Sequence, residues 1–377
     1  MKRALSPKCR TLPKKLSHPP IKYFGIVLVD QDLSLRSPSI RSRGINVALP
    51  PLIYRSTQPD GPVSTVLQYS ADGVFDEWFA PCGGSGDVRL RIRRMPMKAV
   101  VGVDGSKYSE WVLGWLGKMP FRVAPGVTAI HAMDLQSVRP PFIVQPSVSG
   151  YEPDEGEAIH LLESRAKQVE AETKRRFVKL GLKGSVRVVQ DKIAQALIEQ
   201  AGHKGLIVVG SRGLDAIDRL VLGSVSTTVT LHASCPVLIV KEPPQTLRRM
   251  LVATDGSPSS KKALQFMTKQ FTAKPDAKPL VILLVHVMPF LRYTMVKEAG
   301  EQLLAQEAAK LEKVGYRVRQ FPCVGPAAEE IMKVVNREQP DLIVTGAKGR
   351  SAVTRFLQGS VSMKLAQQSA CSVLVVR

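Results

Sequence analysis

The strongest constraint on the fold is self-similarity: the last 281 residues of this 377-residue chain carry one set of motifs twice. Val100-Val-Gly-Val-Asp104-Gly-Ser returns as Leu251-Val-Ala-Thr-Asp255-Gly-Ser, an offset of 151 from Asp104 to Asp255. Gly210-Ser-Arg-Gly213 returns as Gly346-Ala-Lys-Gly349, and Gly223-Ser-Val-Ser226 as Gly359-Ser-Val-Ser362. Cys235-Pro-Val-Leu-Ile-Val returns as Cys371-Ser-Val-Leu-Val-Val, and these three later pairs share one offset of 136. The 15-residue difference between the offsets assigns the first copy an insertion between its early and late motifs. The Pro-rich stretch Arg139-Pro-Pro-Phe-Ile-Val-Gln-Pro is its natural place.

Within each copy, short apolar runs alternate with longer helical stretches. In copy one, strands are expected near 98–103, 128–133, 185–190, 205–210 and 236–241, and in copy two near 249–253, 280–287, 316–321, 341–345 and 372–376. Between Asp154 and Leu180 the apolar residues Ile159, Leu162, Ala166, Val169, Phe177 and Leu180 recur near helical spacing. The stretch from Val296 to Val314 is rich in the strong helix formers Ala, Leu, Glu and Lys. Strands that are apolar nearly throughout and alternate with helices define a parallel sheet covered on both faces. The expected fold is therefore α/β: two tandem, doubly wound, five-stranded, Rossmann-like domains over 97–241 and 248–377. Glu242-Pro-Pro-Gln-Thr falls in a short linker, 242–247. Ligands of such folds sit at the carboxyl ends of the strands, where strand order reverses.

Residues 1–96 differ from the rest. They hold 11 of the 27 prolines, and no helical or alternating period is sustained, so the segment is expected to be disordered or an extension ahead of a start at Met97. The opening stretch has seven Lys/Arg before its first acid, Asp30, but its prolines break any amphipathic helix and it lacks a signal-peptide core. Cys82-Gly-Gly-Ser-Gly-Asp lacks the residue order of a PP-loop phosphate site and reads as a flexible turn.

The net charge of +21 fits nucleic acid, an anionic membrane surface, anionic small ligands or a solvated surface. The basic residues are spread along the chain, aromatic residues make up only 6%, and neither zinc-finger spacing nor an RNP-type motif occurs, so no nucleic-acid partner is expected. No apolar run approaches the ~18–20 residues of a membrane span, so no membrane partner is expected either. The five cysteines form no C-x-x-C pair, which suits a reducing, cytoplasmic setting. Cys235 and Cys371 each precede an apolar strand and read as packing residues.

The chemistry lies in the later motifs. Gly210-x-x-Gly213 follows the apolar strand Leu206-Ile-Val-Val, where a missing β-carbon lets a ribose or phosphate approach the backbone. After nine intervening residues, Gly223-Ser-Val-Ser opens a helix from about Ser224 to His232, whose free N–H groups and serine hydroxyls make a phosphate cradle. Asp104 and Asp255 end the first strand of each copy on that same sheet edge, as ligand contacts, as caps of the next helix through Asp-Gly-Ser, or as both. His131 and His286 are expected to finish a strand and pack. Arg212 and Lys348 fit either phosphate screening or a solvated surface.

With these residues in hand, the chain resembles the universal stress protein family in its tandem form. Its ATP-binding subgroup carries G-x2-G-x9-G-(S/T) between the fourth strand and the last helix, and both copies match it over about 97–377. The resemblance implies the adenine nucleotide α-hydrolase-like version of the fold. It implies ATP or a related adenine nucleotide as ligand, with Mg2+ as an optional companion, and regulation with slow or no hydrolysis. By motif position it carries base and ribose contacts to Asp104 and Ala132, and to Asp255 and Val287. Ribose and phosphate contacts fall to Gly210, Gly213, Gly223, Ser224, Val225 and Ser226, and to Gly346, Gly349, Gly359, Ser360, Val361 and Ser362. Copy one departs from the pattern: Asp191-Lys192 stands where copy two keeps the family's Gly325-Pro326 turn, and Ala132 offers a base less apolar contact than Val287.

No catalytic residue is assigned, because no Walker-type lysine loop, positioned general base or paired nucleophile occurs. An enzyme of the wider superfamily would need a Ser-Gly-Gly-x-Asp-Ser loop or a His-x-Gly-His motif, and neither is present. An interaction module that has lost its nucleotide remains the other reading. Family members pair through their last strand, so Val237-Leu-Ile-Val and Val373-Leu-Val-Val are expected to pair within one chain as a pseudo-dimer, with further homo-oligomerisation open.

Overall fold

A computed structural model describes residues 39–42, 45–48, 64–69, 75–80, 91–93, 96–133, 155–213, 222–275, 278–289, 294–348 and 360–377. The chain divides into two units, Met1–Met95 and Pro96–Arg377. In the first unit, where no period was legible, the described residues are all strand: β1 (Ser39–Ser42), β2 (Ile45–Ala48), β3 (Ser64–Tyr69), β4 (Phe75–Ala80) and β5 (Arg91–Arg93). β1 and β2 form one antiparallel pair, and β3-β4-β5 form an antiparallel meander. Cys82-Gly-Gly-Ser-Gly-Asp lies outside the described residues, as does the insertion around Arg139.

The second unit holds both repeats. Repeat one runs β6 (Lys98–Gly102), α1 (Lys107–Lys118), β7 (Gly126–Ala132), α2 (Glu155–Leu180), β8 (Gly184–Val189), α3 (Ile193–Ala201), β9 (Leu206–Gly210), α4 (Ser224–His232) and β10 (Val237–Val240). Repeat two runs β11 (Arg249–Ala253), α5 (Pro258–Gln270), β12 (Val281–Met288), α6 (Thr294–Lys313), β13 (Arg317–Val324), α7 (Ala327–Glu338), β14 (Leu342–Gly346), α8 (Ser360–Gln368) and β15 (Ser372–Val376). All ten expected strands are present.

The ten strands join into one sheet in the order β13-β12-β11-β14-β15-β10-β9-β6-β7-β8. Every neighbouring pair is parallel except β10 and β15, which run antiparallel with Val237 opposite Val375, Leu238 opposite Leu374 and Ile239 opposite Val373. Each half therefore has its own reversal of strand order, between β6 and β9 and between β11 and β14, and the halves meet through their last strands.

The continuous apolar runs have the physical reason expected of them: β9, β10, β14 and β15 are buried almost throughout because helices cover both faces. One core layer lies under α1, α2, α5 and α6 and contains Val112, Trp115, Val169, Leu238, Leu264, Leu304 and Leu374. The other, under α3, α4, α7 and α8, contains Leu197, Val229, Ile239, Val334, Leu365 and Val373. Both layers run through the seam. The linker is packed as well. The Trp115 indole N–H donates to Glu242 O at 2.9 Å and Lys118 Nζ to Pro244 O at 3.0 Å. A β-carbon on Gly114 would stand 2.5 Å from Pro244 Cγ, so this helical glycine is the slot that receives the linker.

Candidate functional site

The repeated Asp-Gly-Ser builds a turn and a cap in each repeat. Gly105 and Gly256 have φ of +82° and +73°, the left-handed region that a side chain disfavours. Asp104 Oδ1 accepts from Ser106 N at 2.9 Å, and Asp255 Oδ1 accepts from Ser257 N at 3.0 Å. Ser106 and Ser257 then cap α1 and α5 by accepting from Ser109 N and Ser260 N. The capping role expected of the two acids thus falls to Ser106 and Ser257, and each acid instead braces the turn before its helix through one carboxylate oxygen. In repeat one that oxygen also accepts from Ser109 Oγ at 2.6 Å, while Ser109 Oγ accepts from Asp104 N at 2.8 Å.

The other oxygen of Asp104 faces the glycine loop: a β-carbon on Gly213 would stand 2.9 Å from Asp104 Oδ2. Strand order explains the meeting, because β6 and β9 are neighbours at the reversal and both chains leave the sheet on one edge. The loop closes on itself where Gly223 N donates to Ser211 O at 2.8 Å. Gly223 is the N-cap of α4 and offers no side chain to its first amides, so the N–H groups of Ser224, Val225 and Ser226 point out of the helix end. Asp104, Gly210, Gly213, Gly223 and the start of α4 therefore come together at one place.

The serines divide. Ser224 is exposed, whereas Ser226 is 2% exposed and its hydroxyl donates to Gly210 O at 2.6 Å. Ser362 in repeat two is likewise buried and donates to Ala347 O at 3.1 Å. At both positions the hydroxyl ties helix to strand end, which leaves the backbone N–H as the group with cradle geometry. Val225 and Val361 pack partly against the core.

Ala132, the last residue of β7, and Val287, the penultimate residue of β12, are both half-buried beside buried His131 and His286. These histidines do more than pack. His131 Nδ1 meets Val103 O at 2.9 Å and His286 Nδ1 meets Thr254 O at 2.8 Å, so each ring donates to the carbonyl immediately before the acid. The sequence signal was the His repeated near the end of each second strand, which runs on for one residue in β7 and two in β12.

In repeat two, Gly346 lies against the start of α5: a β-carbon there would stand 2.8 Å from Ser259 Oγ and 2.8 Å from Ser260 N. Ser259 Oγ accepts from Lys348 N at 3.2 Å, which fastens the loop to α5. At the matching point of repeat one, Tyr108 Cβ fills the space beside Gly210, and Tyr108 packs edge-on against Trp111 with ring centroids 5.0 Å apart. Gly349 and Gly359 lie outside the described residues, while Ser360 opens α8 in an exposed position.

Burial pushes the thiols of Cys235 and Cys371 up to about 11 and about 12, which keeps them neutral and fits their packing role. Among the described residues, no three His, Cys, Asp or Glu are grouped to hold a metal. A depression of about 330 Å³ opens between the repeats beside Met119, Leu247 and Thr272, past the ends of α1 and α5.

A profile of the universal stress protein family matches residues 95–241 and again 246–377, and the chain belongs to that family. A universal stress protein of Mycolicibacterium smegmatis is 28% identical over 298 residues, covering 74% of this chain and 96% of its own length. One from Methanocaldococcus jannaschii is 28% identical over 152 residues, covering 37% of this chain and 87% of its own, the span of one repeat. The crystal structure of a universal stress protein from Archaeoglobus fulgidus shares the fold, with a TM-score of 0.55 at 21% identity over 74% of this chain and 96% of that one. Among the described residues, no helix is long and apolar enough to cross a membrane.

Proposed function

We propose that the chain is a two-site adenine-nucleotide receptor of the stress response, each repeat taking ATP or a related nucleotide at the carboxyl edge of its sheet. It acts as a regulatory module with slow or no hydrolysis. The observation that carries this reading is the approach of Asp104 Oδ2 to Gly213 beside the uncapped start of α4. A carboxylate that accepts from hydroxyl groups, a loop without a side chain, and three outward amides suit in turn a ribose, the sugar–phosphate link and a phosphate. The helix dipole adds about 0.3–1 kcal/mol for an anion at such an end, and up to about 2 kcal/mol when it is partly buried. Ala132 and Val287 are the half-buried positions on the base side. Mg2+, where present, arrives with the phosphates. The reading of slow turnover assigns the histidines beside the acids a structural part, with Nδ1 held by a backbone carbonyl and the ring buried. The free, neutral thiols fit a cytoplasmic setting.

The test is nucleotide content and stoichiometry of the full chain. Mass analysis of co-purified ligand is followed by calorimetric titration with ATP, ADP, AMP and cyclic nucleotides. Two equivalents are expected, and Gly213→Glu and Gly349→Glu are each expected to remove one while leaving the circular dichroism unchanged. No heat with any of these nucleotides would replace this reading with that of an interaction module.

A further inference from the structure

The two helices that open onto the proposed phosphate cradles end at the seam, and each is closed there by the other repeat. Lys241, the residue after β10, reaches across to the end of α8, where its Nζ donates to Ser369 O at 2.6 Å and more distantly to Gln367 O at 3.4 Å. Arg377, the residue after β15 and 136 positions later, reaches the end of α4, where its guanidinium donates to Thr230 O and to Leu231 O, the latter at 3.2 Å. The last carbonyls of a helix carry the negative end of its dipole and lack partners within the helix, so a cation there both satisfies and neutralises them.

Each of these residues is also next to the glycine loop of its own repeat. Val240 O accepts from Ser211 N at 2.7 Å, so Lys241 is one residue from the contact that holds the loop of repeat one while its side chain closes the helix of repeat two. Val376 O accepts from Ala347 N at 2.7 Å, so Arg377 stands in the same relation with the repeats exchanged. Both cations have had water removed from around them, and burial lowers the pKa of each. Such placement of two cations, in mirrored positions, is costly unless the helix ends are what they serve.

From this geometry we infer that the two sites are completed crosswise: Arg377 of repeat two is a positioning residue for the nucleotide site of repeat one, and Lys241 of repeat one for that of repeat two. The inference rests on the nucleotide reading above and adds to it that neither repeat binds at full strength alone. Each cation stabilises its target helix in the position from which the amides at the far end meet a phosphate, although it touches no ligand itself.

The test uses the full-length chain with one site disabled at a time. In a Gly349→Glu parent, which keeps only site one, Arg377→Gln is expected to raise the ATP dissociation constant about two- to tenfold, the size of a helix-end charge effect. Lys241→Met in the same parent leaves that constant within a factor of two. In a Gly213→Glu parent, which keeps only site two, the pattern reverses. Arg377→Lys and Lys241→Arg restore binding, because charge at the helix end is what matters. Melting temperatures are recorded in parallel, and the conservative pair supplies folded proteins if the neutral variants unfold. Equal losses at both sites, losses at the residue's own site, or no losses overturn the crossed assignment alone. Parents that bind no nucleotide overturn the reading beneath it as well.

Discussion

Replacing Leu374 with alanine tests whether the repeats are one cooperative body or two domains that touch. Leu374 is fully buried in β15, stands opposite Leu238 of β10, and shares a core layer with Trp115 of repeat one and Leu264 of repeat two. Removing three carbons forfeits about 2.4 kcal/mol of transfer free energy at about 0.8 kcal/mol per group. Incomplete collapse of the space raises the total to about 3–4 kcal/mol. The melting shift then depends on how much chain unfolds together. With an unfolding entropy of about 2.1 cal/mol/K per residue, the whole unit from Pro96 to Arg377 carries about 0.6 kcal/mol/K, and the midpoint falls by about 5–7 °C. If residues 248–377 unfolded alone, the entropy would be about half, and the fall about 11–15 °C.

The chain supplies its own reporter. Its three tryptophans are Trp78, Trp111 and Trp115, and the last two lie on α1 in repeat one. In a Trp78→Phe background, fluorescence therefore follows repeat one, while far-ultraviolet circular dichroism follows both. Leu374→Ala in repeat two is expected to move both signals together by the smaller shift. A fluorescence midpoint that stays at the parent value while circular dichroism shows an early partial transition would refute the shared-core argument.

Two further outcomes follow from the seam. Deleting residues 372–377 removes β15 and bares β10, whose four residues are all buried, so the truncated chain is expected to associate or aggregate on a sizing column. A monomer of unchanged stability would contradict the pairing. Burial, with Arg212 nearby, lowers the pKa of Lys241 to about 8 from 10.5, against the raising pull of Cys371 and Glu242. The folded state then binds fewer protons than the unfolded one between those values, so this group makes stability rise with pH through that window. Between pH 7 and 9 wild type should gain about 1 kcal/mol relative to Lys241→Met in urea melts, the opposing effect of burying Cys371 being common to both proteins. Parallel pH profiles of the two proteins would rule this out.

What was legible in the sequence is what repeats or alternates locally. Constant offsets located both repeats, and apolar runs located the inner strands most plainly, because a strand covered on both faces has few polar positions to obscure it, whereas the exposed edge strands β8 and β13 carry polar residues. Pairing of Val237–Val240 with the last strand was implied by the family resemblance rather than by the residues themselves. The crossed contacts of Lys241 and Arg377 were not, since a terminal cation after a strand looks like a solvated end until the antiparallel seam brings the opposite helix to it. The inward turn of Ser226 was hidden for a similar reason: a serine at a helix start reads as a ligand group, and only the nearness of Gly210 O shows where its hydroxyl goes. Gly114 was silent too, being a helix glycine whose purpose is to receive Pro244 from beyond the repeat.

The glycines of the motif carry unequal weight for the same reason, and this decides which substitution can test the function. A β-carbon on Gly210 would stand 2.6 Å from Tyr108 Cβ, and one on Gly346 would stand 2.8 Å from Ser260 N. Those two positions are required by helix packing whether or not a nucleotide binds, so their presence says little about a ligand, and losing binding on mutating them would say little more. Gly213 differs, because the nearest atom to its missing β-carbon is the outer carboxylate oxygen of Asp104, the free end of a side chain. Packing alone tolerates a small shift there, whereas a bound ribose–phosphate does not tolerate a second carboxylate in its place. Gly213→Glu therefore separates the ligand requirement from the fold requirement: a protein that keeps its melting temperature and loses one nucleotide has lost it at the site.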